Sequence, residues 1–151
     1  MQEEKREGGG KMTYNLERFK EAQRNDYETA LEEIRNGMKL SHWIWYIFPQ
    51  LKELGYSPTA RYYGIDGRGE AEAYLEDDVL RGRLIEISKT LLSLDSSDPM
   101  LVMGYPDNLK LRSCMTLFDY VAPEIEVFGR VLEKFYSGEK DDRTIELLQK
   151  A

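Results

Sequence analysis

The segment from Leu80 to Leu94 has the clearest periodic pattern in the sequence and predicts an amphipathic α-helix. Its apolar residues follow one another in alternating steps of four and three: Leu80, Leu84, Ile87, Leu91 and Leu94. This spacing aligns them on one helical face, which has to be buried against other elements. No stretch of the chain alternates apolar and polar residues over a useful length, as a half-buried strand does. We therefore predict an all-α, single-domain bundle without significant sheet.

Capping residues predict several further short-to-medium helices. Ser57-Pro58 and Asp98-Pro99 each combine an N-cap residue with proline at the first helical position. Helix starts are also expected at other residues that commonly cap or open helices: Asn15, Asn25 with Glu28 as a capping box, Ser41, Asp77 or Asp78, Pro123, and Asp141 or Asp142. Glycines are expected to end helices: Gly37, Gly64, Gly104 and Gly138. Residues 66–69 are interpreted as a loop.

The length of 151 residues suits one domain with one hydrophobic core. Residues 1–12 are charged and then glycine-rich, without an apolar period, which predicts a disordered leader or a remnant of cloning. Residues 13–151 are predicted to form the single helical domain. A hydrophobic fraction of 41% is ordinary for a globular chain and too high for a disordered one.

Charge and cysteine content narrow the possible functions. A formal net charge of −7 disfavours non-specific binding to nucleic acid, because the phosphate backbone is repelled. No segment approaches the roughly 20 apolar residues of a membrane span, and no secretory signal is visible, so a cytoplasmic location is expected. With one cysteine, Cys114, and one histidine, the chain cannot form an intrachain disulfide or an ordinary tetrahedral zinc site. No metal or cofactor is predicted, and the oligomeric state stays open.

His42 is the only side chain expected to titrate near neutral pH, and it lies next to an aromatic-rich segment. It is a candidate general acid or base, although a hydrogen-bonded core histidine is the favoured interpretation. The neighbouring aromatic residues are mainly expected in the core, with a stacking wall for a flat ligand as the alternative. They are Trp43, Trp45, Tyr46, Tyr62 and Tyr63. Gln50 is either a further ligand contact or a surface loop residue.

A second candidate site lies at residues 107–113, where a loop meets the start of a predicted helix. Free backbone N–H groups together with Lys110 and Arg112 would hold an anion there. The favoured alternative is that Asp107 caps the helix and the basic side chains are solvated. The ligand-binding candidates in this segment are Asp107, Lys110 and Ser113.

The segments now described resemble domain-of-unknown-function family 1810, a family of small helical bacterial proteins. The resemblance runs over residues 14–148, and its most specific part is the string His-Trp-Ile-Trp-Tyr-Ile-Phe-Pro-Gln at residues 42–50. The other matching parts are residues 16–19, 22–23, 62, 71–75, 83–84, 107–113, 115–118 and 128–138. The resemblance implies an all-α single domain. It implies nothing about activity, because the family has no established one. Some relatives carry a calpastatin label, which fits poorly, because such inhibitors are disordered repeat proteins.

This sequence departs from the family pattern at two places. Relatives commonly have His-Pro where Asp78-Val79 precede Leu80, and often have serine at the position of Cys114. A mechanism that needs a second histidine is therefore not expected here.

Two functions follow as hypotheses. The first is a small-molecule binding protein or enzyme for a nucleotide-like or other anionic ligand, with His42, Gln50 and Lys110 converging on an aromatic pocket. The alternative is a non-catalytic protein–protein interaction module, which would expose an apolar patch. The sequence leaves open whether the protein is an enzyme.

Overall fold

Nine α-helices make up most of the chain in a computed structural model that describes residues 6–7 and 11–150. They are α1 (Glu17–Arg35), α2 (Ile44–Ile47), α3 (Pro58–Tyr62), α4 (Gly67–Glu76), α5 (Asp78–Ser93), α6 (Pro99–Met103), α7 (Asp107–Val121), α8 (Glu126–Tyr136) and α9 (Asp142–Lys150). A 3-10 turn, Lys52–Leu54, follows α2. The predicted all-α fold is confirmed.

Strand structure is confined to very short pairings within the described residues. β1 (Arg6–Glu7) and β2 (Lys11–Met12) pair antiparallel, with Arg6 opposite Met12. A single parallel backbone pairing joins Leu51 and Ile65. Most of the predicted disordered leader, residues 1–5 and 8–10, lies outside the described residues, as does residue 151.

Helix α7 occupies the centre of the fold. Seven of its residues are buried, and they point in all directions around the helix axis: Leu111, Ser113, Cys114, Met115, Thr116, Leu117 and Phe118. A helix buried on every side has to be surrounded by other elements, and α7 indeed contacts α2, α4, α6, α8 and α9. The predicted stripe of α5 packs against α1, α4 and α8.

Local capping signals predicted several helix starts correctly. Ser57, Asp77 and Asp98 accept hydrogen bonds of 2.9–3.1 Å from backbone N–H groups in the first turns of α3, α5 and α6. Asp141 does the same for α9 at 3.1 Å. The donor and acceptor of each bond lie within three residues of each other, so the sequence alone contains the whole interaction.

Other predicted starts are wrong because packing overrides the local signal. Asn15 and Asn25 cap nothing, since α1 runs unbroken from Glu17 with Leu16 as its N-cap residue. The buried stripe continues past Asn25, and Gln23 on that stripe is only 1% exposed. Burial of one continuous face outweighs a capping preference of about 1 kcal/mol.

The boundaries of α4 and α8 also differ from expectation. α4 begins at Gly67, inside the predicted loop, and the Glu70 carboxylate accepts a 2.7 Å hydrogen bond from the Asp66 N–H that closes its first turn. α8 begins at Glu126, three residues after Pro123, with Ile125 as its N-cap residue. Proline fixes its own backbone angle without requiring that a helix follow at once.

Arg18 on α1 forms a buried ion pair that joins three elements. Its Nη1 lies 2.7 Å from Glu70 Oε2 on α4, and the two side chains are 9% and 3% exposed. The same guanidinium donates to the carbonyls of Tyr62 at 2.8 Å and Gly64 at 2.9 Å. Arg18 therefore holds the end of α3 and the following residues against α1 and α4.

We expect Arg18→Met to lower the free energy of unfolding by about 3–5 kcal/mol, because it leaves the Glu70 charge buried without a partner. Denaturant unfolding followed by circular dichroism measures this. Arg24→Met, an exposed arginine on the same helix, is the matched control and should change stability by less than about 0.5 kcal/mol. Equal losses in both variants would contradict the assigned role.

Candidate functional site

The start of α3, the first half of α7 and the start of α9 enclose a cavity of about 470 Å³, called the Lys110 cavity below. This volume is typical of small-molecule sites, which occupy roughly 300–1,000 Å³. Its polar lining consists of Gln50, Ser57, Lys110, Ser113 and Asp141. Its apolar lining consists of Leu54, Tyr56, Ala60, Pro106 and Leu109.

The fold brings these side chains together through one helical face and two caps. Lys110 and Ser113 are three residues apart on α7, so they lie on the same side of that helix. Ser57 and Asp141 are the residues that cap α3 and α9. The Ser113 hydroxyl lies 3.2 Å from Asp141 Oδ2, which fixes the start of α9 beside α7.

Lys110 carries the cationic group of the cavity. Its side chain is 27% exposed, and Nζ lies 3.7 Å from Asp107 Oδ1 and 5.6 Å from the centre of the Trp45 ring. Asp107 itself is held more closely by Lys39, at 2.8 Å. Among the described residues the Lys110 ammonium has no hydrogen-bond acceptor, so its donors remain available to a bound group.

A much smaller space adjoins the Lys110 cavity on its inner side. It holds about 10 Å³, roughly enough for one water molecule. Trp45 lines it, and it shares Gln50, Ala60 and Lys110 with the main cavity. Of the predicted site residues, the structure therefore brings together Trp45, Gln50, Lys110 and Ser113.

The remaining predicted site residues lie elsewhere. His42 is exposed, so its interpretation as a core histidine is wrong, and it lines neither space just described. Trp43 is 1% exposed and belongs to the core. Tyr46 donates its hydroxyl to Asp26. Tyr62 is 57% exposed and packs edge-on against Tyr63, with ring centres 4.8 Å apart. Asp107 forms an ion pair with Lys110 and does not line the cavity.

The buried carboxylate of Glu33 binds the residues on both sides of His42. Glu33 accepts hydrogen bonds from Leu40 N–H, Ser41 N–H, Ser41 Oγ and Trp43 Nε1, all between 2.6 and 2.9 Å. The predicted Ser41 cap is therefore wrong: its hydroxyl donates to Glu33, and α2 begins only at Ile44. Burial alone would raise the pKa of Glu33, but these hydrogen bonds outweigh it and lower the pKa to about 2.

Of the residues that line the cavity, the sequence analysis named only Gln50, Lys110 and Ser113 as site residues. Asp141 was recognised only as a helix cap, and its contact with Ser113 spans 28 residues. Ser57 likewise carried only a capping signal, Leu109 was included only as part of the candidate segment 107–113, and Tyr56 and Pro106 were not named as site residues. No local pattern marks these residues, because their proximity results from the packing of α3 and α9 against α7.

Cys114 has no place in the site. It is completely buried on α7, and burial raises the pKa of its thiol well above the ordinary range. The thiol therefore behaves as a small apolar group.

Two structural features are absent from residues 11–150. No helix there is long and apolar enough to cross a membrane. That part of the chain also has no group of three or more His, Cys, Asp or Glu side chains placed to hold a metal ion.

Similarity to known proteins covers nearly the whole helical fold. Residues 13–148 match the model of a family described as "Protein of unknown function (DUF1810)". The crystal structure, at 1.38 Å, of the conserved hypothetical protein Rv1873 from Mycobacterium tuberculosis is similar, with a TM-score of 0.87. The two sequences are 42% identical, and the match covers 89% of this chain and 96% of that chain. No curated protein matches.

We expect Glu33→Gln to lower the free energy of unfolding by about 2 kcal/mol at neutral pH, since hydrogen bonds to a charged group contribute about 1.5–3 kcal/mol. The folded-state pKa of about 2 lies below the ordinary 4.5. The contribution is therefore complete above pH 4.5 and is lost as the pH falls towards 2. Urea unfolding at decreasing pH should show a smaller loss of stability in the variant than in the wild type.

The control for this experiment is Glu32→Gln. The Glu32 side chain is 65% exposed, and its ion pair with Arg35 is long, at 3.7 Å. Removal of the Glu32 charge should therefore lower the free energy of unfolding by less than about 0.5 kcal/mol. A wild type and a Glu33→Gln variant that lose stability in parallel as the pH falls would show that Glu33 has no such role.

Proposed function

The chain belongs to the family described as "Protein of unknown function (DUF1810)", and we propose that it is a binding protein for a small organic anion held in the Lys110 cavity. The observation that carries this proposal is the Lys110 ammonium, which lines a cavity of about 470 Å³ and has no hydrogen-bond acceptor among the described residues. An anionic group placed there would accept its free donors.

The local charges favour an anion over a neutral ligand. Lys39 and Lys110 share a single carboxylate, that of Asp107, and Lys39 is the closer partner at 2.8 Å against 3.7 Å. One positive charge is thus left over among these three groups, and it forms no ion pair with the Asp141 carboxylate that also lines the cavity. Because the Lys110 side chain is only 27% exposed, water screens that charge less than it would at the surface.

The shape of the site favours a small molecule over a polymer. The cavity is concave and partly apolar, whereas the chain as a whole has a net charge of −7, which repels a nucleic-acid backbone. The Leu54, Pro106 and Leu109 side chains offer contact to a hydrocarbon part of the ligand.

The proposal assigns no reaction. His42, the side chain predicted as an acid or base, does not line the Lys110 cavity. We place the protein in a bacterial cytoplasm: the relative from Mycobacterium tuberculosis supports the bacterial origin, and a single cysteine suits a reducing compartment.

We expect benzoate to bind more tightly than its neutral counterpart benzamide, and Lys110→Met to weaken benzoate binding by about tenfold or more, because a charge-assisted hydrogen bond is lost. Titrations followed by the backbone NMR signals of Gln50 and Ser113 measure both effects at the site.

Lys89→Met is the matched control, since it removes an equal charge from an exposed lysine on α5. It should leave benzoate binding unchanged. Equal binding of benzoate and benzamide, or an equal loss in the two lysine variants, would rule out an anion site at Lys110.

A second candidate function, protein–protein interaction, is favoured by one exposed apolar surface. The segment before α2 and the segment spanning α6 to the start of α7 are joined by a 2.7 Å hydrogen bond from Lys39 N–H to the Val102 carbonyl. These two segments carry six large apolar side chains that are 41–73% exposed: Met38, Leu40, Met100, Leu101, Tyr105 and Leu109. Exposed apolar surface of this kind is typical of protein-binding sites.

If this surface binds a protein, crosslinking should identify that partner, which can then be purified. The double variant Leu40→Ser, Leu101→Ser should weaken the affinity for the purified partner by about tenfold or more, because buried apolar contact is lost. Isothermal titration calorimetry measures the affinity. Val79→Ser, at a 46% exposed position on α5, serves as the control. An unchanged affinity in the double variant would remove this candidate.

A further inference from the structure

Asp141 supplies an anionic group to the cavity that contains the Lys110 ammonium. Its Oδ2 accepts hydrogen bonds from the Thr144 N–H at 3.1 Å, from Thr144 Oγ1 at 2.5 Å and from Ser113 Oγ at 3.2 Å. Its Oδ1 has no hydrogen-bond partner among the described residues. One carboxylate oxygen is therefore fixed by the fold, and the other remains free to accept a donor from a ligand.

Lys110 and Asp141 do not neutralise each other. Among the described residues, Lys110 forms its only ion pair with Asp107, and Asp141 forms none. Ser113, which contacts Asp141, is one helical turn from Lys110, and both charged residues line the same cavity. Opposite charges that line one cavity without pairing leave room for a group that bridges them.

We propose that the ligand of the Lys110 cavity is a zwitterion, an amino acid with an apolar side chain, whose carboxylate meets Lys110 and whose ammonium group meets Asp141. This inference rests on the proposed function and specifies its ligand class. The ammonium group donates to the free Asp141 Oδ1, and the ligand carboxylate accepts from Lys110 Nζ, so both unused groups of the site gain a partner.

The apolar part of the lining suits the side chain of such a ligand. Leu54, Pro106 and Leu109 line the cavity, and Tyr56, which also lines it, is 96% exposed. A tyrosine ring without packing partners is available to stack on a ligand side chain. The Gln50 amide, which also lines the cavity, adds one donor and one acceptor.

Three ligands that share one ring test the proposal: phenylalanine, 3-phenylpropionate, which lacks the ammonium group, and phenethylamine, which lacks the carboxylate. Calorimetric titration of the full chain should give phenylalanine an affinity about tenfold or more above that of either analogue, since each analogue leaves one buried charge without a partner.

The variant Asp141→Asn tests the ammonium site without removing the helix cap that Asp141 provides. Asparagine also caps helices, so its amide oxygen takes over the bonds to Thr144 and Ser113, while its NH₂ group replaces the free oxygen. The preference for phenylalanine over 3-phenylpropionate should fall below about threefold, with an unchanged melting temperature. Asp142→Asn, at the exposed neighbouring position, is the control and should keep the preference.

The outcomes distinguish the two proposals. Equal affinities for phenylalanine and 3-phenylpropionate, or equal effects of the two Asn variants, overturn the zwitterion and leave the anion site at Lys110 standing. If neither phenylalanine nor 3-phenylpropionate binds, the proposed function is overturned together with this inference.

Discussion

The ion pair and hydrogen bonds of the buried Arg18 guanidinium are the interactions on which the remainder of the structure depends. The guanidinium links α1 to Glu70 on α4 and holds the carbonyls of Tyr62 and Gly64 at the end of α3. The segment from Gln50 to Ile65 has few large buried side chains of its own. The Leu51–Ile65 pairing closes this segment on itself, and the polar bonds of Arg18 attach it to α1 and α4. That segment forms one wall of the Lys110 cavity. A charge inside the core thus helps to position one wall of a cavity at the surface.

The charged groups of the protein divide into those that the fold has satisfied and those that it has not. The Glu33 carboxylate accepts four hydrogen bonds and has no capacity left for a ligand. Lys110 and Asp141 line a cavity, and among the described residues they retain unused donors and an unused acceptor oxygen. Burial of a charge is therefore a poor guide to function by itself, because a satisfied charge serves the fold. Unused hydrogen-bonding capacity beside an open volume is the more specific sign.

The sequence predicts those features whose interacting groups are close in the chain. The α5 stripe and the caps at Ser57, Asp77 and Asp98 are confirmed because each depends on residues within a few positions. The cap predicted at Ser41 is wrong because its partner, Glu33, is eight residues away on α1, while Ser41 lies between α1 and α2. Gln50 and Lys110 were named as site residues from their side-chain chemistry, but their shared cavity depends on α2 and α3 meeting α7. His42 was singled out by residue type alone, and type does not determine whether a side chain lies in a cavity.

The two candidate functions are physically connected through the first turn of α7. Leu109 belongs to the exposed apolar surface and also lines the Lys110 cavity, next to Lys110 itself. A protein that buries Leu109 would change the solvation of the cavity and restrict the motion of the Leu109 side chain in its wall. Ligand affinity would then differ between the free and the bound protein, and by linkage the ligand would change the affinity for the partner by the same factor. A small-molecule site and a protein-binding surface that share a residue form one coupled system, so evidence for either function bears on the other.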